Sequence, residues 1–264
     1  MQKIWLLMIF ALFTACKPDS TDKKNSKQDI HREISFYTPD SIQIFGDLYE
    51  NNKESPTILL FHQGGSNARA EYQSIIPKLT EKGCNILAID QRVGGQIYGS
   101  YNRTLTQIKD NSYDNPYSYC DAYNNLESAL DFVIQQQFTG PKVLWGSSYS
   151  ASLAIQLASN RGKDIKGVLA FSPASGGPME PCKPDLYFDA VKVPLLLLRP
   201  SSEMESEKSK AQFKLAEEKG HETYVAQNGV HGSSMLVSER VKANVDDNWT
   251  TVQNFLSKVL APNE

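Results

Sequence analysis

The stretch KVLWGSSYSASLAIQLA, residues 142–158, decides how the rest of the chain is read. Residues 142–145 form a short apolar run of strand type, and the small and apolar residues after Tyr149 have the spacing of a buried helix. A sharp turn must join the two. At that turn, Gly146-Ser147-Ser148-Tyr149-Ser150 is a G-x-S-x-G pattern with serine in place of the last glycine. The central serine of such a strand-to-helix corner projects its hydroxyl from the top of a sheet, beside the positive end of a helix. Ser148 is therefore a candidate nucleophile. The same five residues also read as a serine-rich turn that merely caps a helix, since serine is a good N-cap. The flanking sequence has to separate the two readings.

Working outward, apolar runs at residues 57–61, 84–90 and 165–171 have the length and composition of buried strands, and residues 193–198 and 222–226 read as the last two strands. Between them the pattern predicts helices over residues 68–82, closed by Gly83, and over 121–137, with Ala122, Leu126, Leu130 and residues 132–134 on or near the buried face. Further helices are predicted from just after Glu205 to about Lys219 and over residues 245–259. Residues 33–49 alternate as two antiparallel strands with Gly46 as a bend. Strands and helices in this alternation imply an α/β fold with a mostly parallel sheet, right-handed crossovers and helices on both faces. Residues 172–192 are rich in proline and glycine, with at most one short helix at 186–190, and are too few for a large lid domain. Residues 96–119 match no regular element. Their tyrosines 98, 101, 113, 117 and 119 suit either a cleft for sugar or aryl groups or the packing of a surface loop.

A serine hydroxyl needs a base within hydrogen-bond reach, and the base needs a group that orients it and stabilises its charged form. Ser148 follows one strand, Glu203 the next strand but one, and His231 the strand after that. All three fall in loops at the carboxyl ends of parallel strands, where such sheets place their sites. Glu205 is the alternative acid, since both glutamates lie near the start of a helix. His221 precedes its strand and so belongs to the opposite edge. The oxyanion formed on attack needs two N–H donors, expected from Tyr149 and from Gly64 or Gln63 in the loop after residues 57–61. His62 is read as structural. Scattered histidines and the lack of CxxC or HExxH spacing argue against a metal site, and no cofactor is called for.

His62-Gln63-Gly64-Gly65, Asp90-Gln91-Arg92 with Gly94, the elbow itself, residues 194–203 and His231-Gly232 together resemble the α/β-hydrolase superfamily, near its dienelactone-hydrolase-like and prolyl-oligopeptidase-like branches. The resemblance covers residues from about 33 to 260. It implies the α/β-hydrolase fold and a serine hydrolase with Ser148, Glu203 and His231 as triad, acting on a small-molecule acyl substrate, most simply a carboxylic ester. Peptide or thioester cleavage and acyl transfer use the same machinery, and a binding lipoprotein that keeps the fold without turnover is the reading from another class. Departures from the pattern are Gln63 where glycine is common, Ser150 for the last elbow glycine, and Glu203 where aspartate is commoner. A dienelactone hydrolase proper would carry a cysteine nucleophile, which Ser148 is not.

The chain starts with MQKIWLLMIFALFTA, an apolar run too short to span a bilayer, and its end, Leu12-Phe13-Thr14-Ala15-Cys16, is similar to a bacterial lipobox. Residues 1–15 are thus expected to be a lipoprotein signal, and residues 16–29 a polar, flexible tether. Residues 30–264 form one domain, held at the bacterial cell envelope by lipid on Cys16. Loss of residues 1–15 removes Lys3 from 27 basic residues against 30 acidic ones, leaving a net charge of about −4, which offers nothing to nucleic acid. Of the four cysteines, export would permit a disulfide between Cys120 and Cys182, both in loops near the top of the sheet, while Cys84 opens an apolar strand as a buried thiol. Metabolic labelling with a fatty-acid analogue should mark the wild-type protein and not Cys16→Ser; equal labelling of both would refute lipidation.

Overall fold

In the computed structural model, which describes residues 30–110 and 116–261, eight strands form one sheet. The expected signal, tether and Cys16 lie outside the described residues. The strands are β1 (Ile30–Tyr37), β2 (Gln43–Glu50), β3 (Thr57–Phe61), β4 (Asn85–Asp90), β5 (Lys142–Ser147), β6 (Gly167–Phe171), β7 (Leu195–Pro200) and β8 (Glu222–Ala226), in the order β1-β2-β4-β3-β5-β6-β7-β8. β1 and β2 run antiparallel to each other and β2 antiparallel to β4; every other pair is parallel. The helices are α1 (Ala68–Tyr72), α2 (Ile76–Thr80), α3 (Arg103–Asp110), α4 (Tyr123–Gln135), α5 (Tyr149–Arg161), α6 (Glu207–Glu218), α7 (Ser238–Val241) and α8 (Asp246–Leu260).

Successive strand residues point to opposite faces, so each buried run feeds two cores. Leu59, Phe61 and Leu144 pack with Leu126 and Leu130 of α4, Leu153 of α5 and Phe213 of α6. Ile58, Leu60, Val143 and Trp145 pack on the other face with Tyr72, Leu79 and, from α8, Trp249 and Phe255. Burial on both sides is why these strands read as unbroken apolar runs.

Several elements differ from the expectation. Gly46 is not a bend: it sits inside β2 opposite Ile34, where a Cβ would come within 2.9 Å of the Ala88 carbonyl oxygen, and the turn lies instead between β1 and β2, where Ser41 takes φ 65°. The helix expected over residues 68–82 is two, because Pro77 has no N–H for the carbonyl of Gln73 and is tolerated only in the first turn of a new helix. Gly83 does close that segment, with φ 80°. The 96–119 stretch contains α3, started by the Asn102 side chain, which accepts the Leu105 N–H at 2.7 Å. In α4 Ile134 faces solvent, whereas Leu126, Ala129, Leu130 and Val133 are buried. Residues 172–192, expected to hold at most one short helix, hold two 3-10 turns, Gly177–Cys182 and Pro184–Leu186. No large lid interrupts the fold.

Cys120 and Cys182 form a disulfide, tying the turn before α4 to the 172–192 connection across a separation of 62 residues. Cys84 is a free, buried thiol, pushed up to about 11 by burial. Opening the cross-link frees a long loop in the unfolded chain, so Cys120→Ala with Cys182→Ala should lower unfolding stability by about 2–4 kcal/mol in urea titration. An unchanged midpoint, or free thiols at both positions by mass spectrometry of the wild type, would contradict this.

Candidate active site

The corner after β5 is built on backbone strain. Ser148 has φ 60° and ψ −122°, a region that a residue with a β-carbon occupies only when its surroundings hold it there. Its N–H donates to Phe171 O at 2.8 Å, and its carbonyl accepts from Ala151 N at 3.0 Å and Ala174 N at 3.2 Å. Gly146 makes the tight return possible: a Cβ there would lie 2.5 Å from the Ala151 Cα and from the Ser150 carbonyl oxygen. Ser150, in place of the last elbow glycine, is buried at the corner. Its buried hydroxyl donates to His62 O at 2.5 Å and accepts from Gln91 Nε2 at 2.6 Å, joining the corner to the loops after β3 and β4.

Glu203 lies in a 3-10 turn, Ser201–Glu205, directly after β7, and His231 in the loop after β8. His231 Nδ1 and Glu203 Oε1 are 2.6 Å apart. Glu203 Oε1 also accepts from Ser172 Oγ at 3.0 Å, and Oε2 from Arg199 Nη1 at 2.6 Å. Burial pushes the Glu203 carboxyl up, but the hydrogen bond and charge of His231, with Arg199 and Ser172, outweigh it and hold the group below its ordinary value. Glu205 points to solvent.

The His231 loop is fastened to the corner. Ser233 N donates to Ser147 Oγ at 2.9 Å, Trp145 Nε1 donates to Ser233 Oγ at 2.9 Å, and Gly232 N donates to Ser172 Oγ at 3.1 Å. Gly232 has φ 68°, and a Cβ there would fall 2.3 Å from Ser147 Oγ, so only glycine lets the loop come this close. Ser148 is partly exposed at the same edge of the sheet, and its hydroxyl has no hydrogen-bond partner among the described residues. The acid–histidine contact is thus made and the serine–histidine contact is open, as is common in unliganded sites.

Two amides face the same edge. Tyr149 N–H is the first of α5 and has no helix carbonyl to accept it. Of the two loop residues expected to supply the other, Gln63 donates its N–H to the buried Glu71 Oε2 at 2.8 Å, which takes it out of reach of a substrate. Gly64 N–H has no acceptor among the described residues and is the one left. The Tyr119 hydroxyl packs against Gly64, 2.9 Å from where a Cβ would sit, and its ring lies 4.7 Å from that of Tyr149.

The other singled-out residues separate by place. His62 is fully buried; its Nε2 accepts from Gln91 N at 3.0 Å, which leaves Nδ1 to donate to Gln63 O at 2.8 Å, and burial pushes its ring toward the neutral form. His221 bonds Phe188 O at 2.7 Å, at the start of β8 and the far edge of the sheet. Among the tyrosines, Tyr98 accepts from Gln63 Nε2 and Ser234 Oγ, both at 3.1 Å, Tyr117 lies under Arg92, and Tyr101 is exposed. Tyr113 lies outside the described residues. Tyr98 and Tyr119 touch the loop after β3. Ser172, with φ 50°, and Arg199 were not singled out by sequence; their position just after β6 and at the end of β7 was the one available signal.

No family model matches the sequence, and no curated protein matches it. Solved structures do. An esterase of Pyrococcus furiosus superposes with a TM-score of 0.66 at 18% identity, over 88% of this chain and 92% of that one. The dienelactone hydrolase of Anabaena variabilis gives 0.64 at 16% identity, over 89% and 100%. This is the α/β-hydrolase fold. The acylaminoacyl peptidase of Pyrococcus horikoshii matches over 90% of this chain but 43% of its own, with a TM-score of 0.60 and 15% identity, so an α/β-hydrolase unit of this size also occurs within longer chains.

The contact at Gly146 can be tested directly. Gly146→Ala should lower unfolding stability by about 1–3 kcal/mol, the usual range for overpacking. Wild-type stability would mean that α5 stands farther from β5 than described here.

Proposed function

We propose that the protein is a serine hydrolase that cleaves carboxylic esters through an acyl-enzyme on Ser148. The observation that carries the reading is the 2.6 Å contact between His231 Nδ1 and Glu203 Oε1, in a loop bonded at Ser233 to the residue beside Ser148. With Nδ1 committed to Glu203, the other ring nitrogen, Nε2, is the basic one. Closing the open contact, it takes the Ser148 proton as Oγ attacks the ester carbonyl, and the ionised Glu203 stabilises the imidazolium that results. The oxyanion forms beside the N–H groups of Tyr149 and Gly64, with the positive end of α5 behind it. The imidazolium then protonates the leaving alcohol, and water repeats the sequence to release the acid. The solved structures sharing the fold, named as esterases, a dienelactone hydrolase and a peptidase, are consistent with acyl chemistry. Our reading also includes attachment to the bacterial envelope through lipid on Cys16.

A fluorophosphonate probe should label the wild-type protein and not Ser148→Ala; no labelling of the wild type would favour a binding protein. On p-nitrophenyl esters of graded chain length, Ser148→Ala and His231→Ala should each lower the rate by about 10⁴–10⁶, and the double change by scarcely more. Glu203→Gln should cost less than either, and Glu205→Gln little. Full activity of Ser148→Ala in a correctly folded sample would end the proposal.

A further inference from the structure

Glu71 of α1 is completely buried, yet no arginine or lysine hydrogen-bonds its carboxyl. Oε2 accepts the Gln63 N–H at 2.8 Å, Oε1 has no hydrogen-bond partner, and the hydroxyls of Ser147 and Ser66 stand beside the group. Arg240 of α7 approaches but binds elsewhere: Nη1 donates to the Glu71 main-chain carbonyl at 3.0 Å and to Ser234 Oγ at 3.1 Å, and Nη2 to the carbonyl of Ala70. A carboxylate in a dry interior with no cationic hydrogen-bond partner is heavily penalised even with hydroxyls beside it, whereas the neutral acid has an O–H that can reach a hydroxyl oxygen.

Three loops meet at this carboxyl. Gln63 lies in the loop after β3 and directly precedes Gly64. Ser147 directly precedes Ser148, and its Oγ accepts the N–H of Ser233, two residues after His231. The Gln63 side chain spans the same junction: Nε2 donates to Tyr98, while Oε1 would lie 2.9 Å from a Cβ placed on Gly232.

We propose that Glu71 is a positioning residue of the active site: as the neutral acid it holds the Gln63 N–H inward, so that Gly64 presents the next N–H to the oxyanion, and it keeps Ser147 in the register that the His231 loop requires. Glu71 touches no substrate atom and acts through Gly64 and Ser147. The charged or titratable groups facing it are Arg240 from α7, Tyr72 on its own helix and Tyr149 from α5. Burial pushes the Glu71 carboxyl up, against Ser147, the Gln63 N–H, Arg240 and Ser66, in keeping with the neutral form.

This role rests on the serine hydrolase reading, and two measurements on the intact protein separate them. Ester turnover per active site titrated with fluorophosphonate should fall about tenfold to a hundredfold in Glu71→Leu, in kcat rather than KM, as expected when an oxyanion donor is displaced. Glu71→Gln should stay within about threefold of wild type, because the amide can accept from Gln63 and donate to Ser147. Amide hydrogen exchange should show Gln63 protected in wild type and Glu71→Gln, and exchanging at least about tenfold faster in Glu71→Leu. An unchanged kcat in Glu71→Leu, or equal protection of Gln63 in all three proteins, overturns the role of Glu71. If Glu71→Leu does not fold, Glu71→Gln decides alone: a loss well beyond threefold per titrated site means that the charged form is needed and the proposal is wrong. A wild type that turns over no ester overturns the hydrolase reading, and the exchange measurement still decides what Glu71 does.

Discussion

The close approach of β5 and α5 at Gly146 is the constraint on which the rest of this protein depends. With no side chain there, the helix can start directly against the strand it follows, and Ser148 is forced into a left-handed conformation at the corner. Such a conformation costs on the order of 1–3 kcal/mol. It is offset by packing around it, with Trp145 stacked on Phe171 and Tyr149 buried under the corner. The residues either side of the strained serine then serve as fastenings. Ser147 holds the His231 loop, and Ser150 holds the loops after β3 and β4.

The acid end of the site is organised by three donors on one carboxylate. Each oxygen of Glu203 has a donor, Oε1 two of them and Oε2 the buried Arg199, whose other nitrogen reaches the Pro173 carbonyl and Gln212. Three donors from three different segments hold the carboxylate in place, and the histidine ring is oriented by it. Ser172 links the acid and the His231 loop through one hydroxyl, so the loops after β6, β7 and β8 are joined at one point.

Much of this was legible in the sequence, for local reasons. Strands buried on both faces must be apolar throughout, so β3 to β7 announce themselves, and their alternation with helices leaves a mostly parallel sheet as the natural arrangement. That Ser148, Glu203 and His231 share one edge of the sheet was legible because the carboxyl end of each strand is marked by the strand itself. What was missed depends on chain segments distant in sequence. Glu71 looks like any first-turn helix acid until β5 closes over it, and nothing near residue 63 in sequence says that its N–H is already taken. Gly46 reads as a bend because the strand crowding it, β4, lies some forty residues on. Where local chemistry did hold the answer, in Pro77, periodicity outweighed it in the reading.

The first strand has a direction that bears on access. β1 is antiparallel to β2 and β2 to β4, so β1 runs with the parallel strands, and Ile30 stands at the edge of the sheet opposite to Ser148 and His231. Any attachment made through the preceding residues therefore pulls on the back of the domain. Under the envelope attachment proposed above, the candidate site would lie on the side of the domain away from its anchored end.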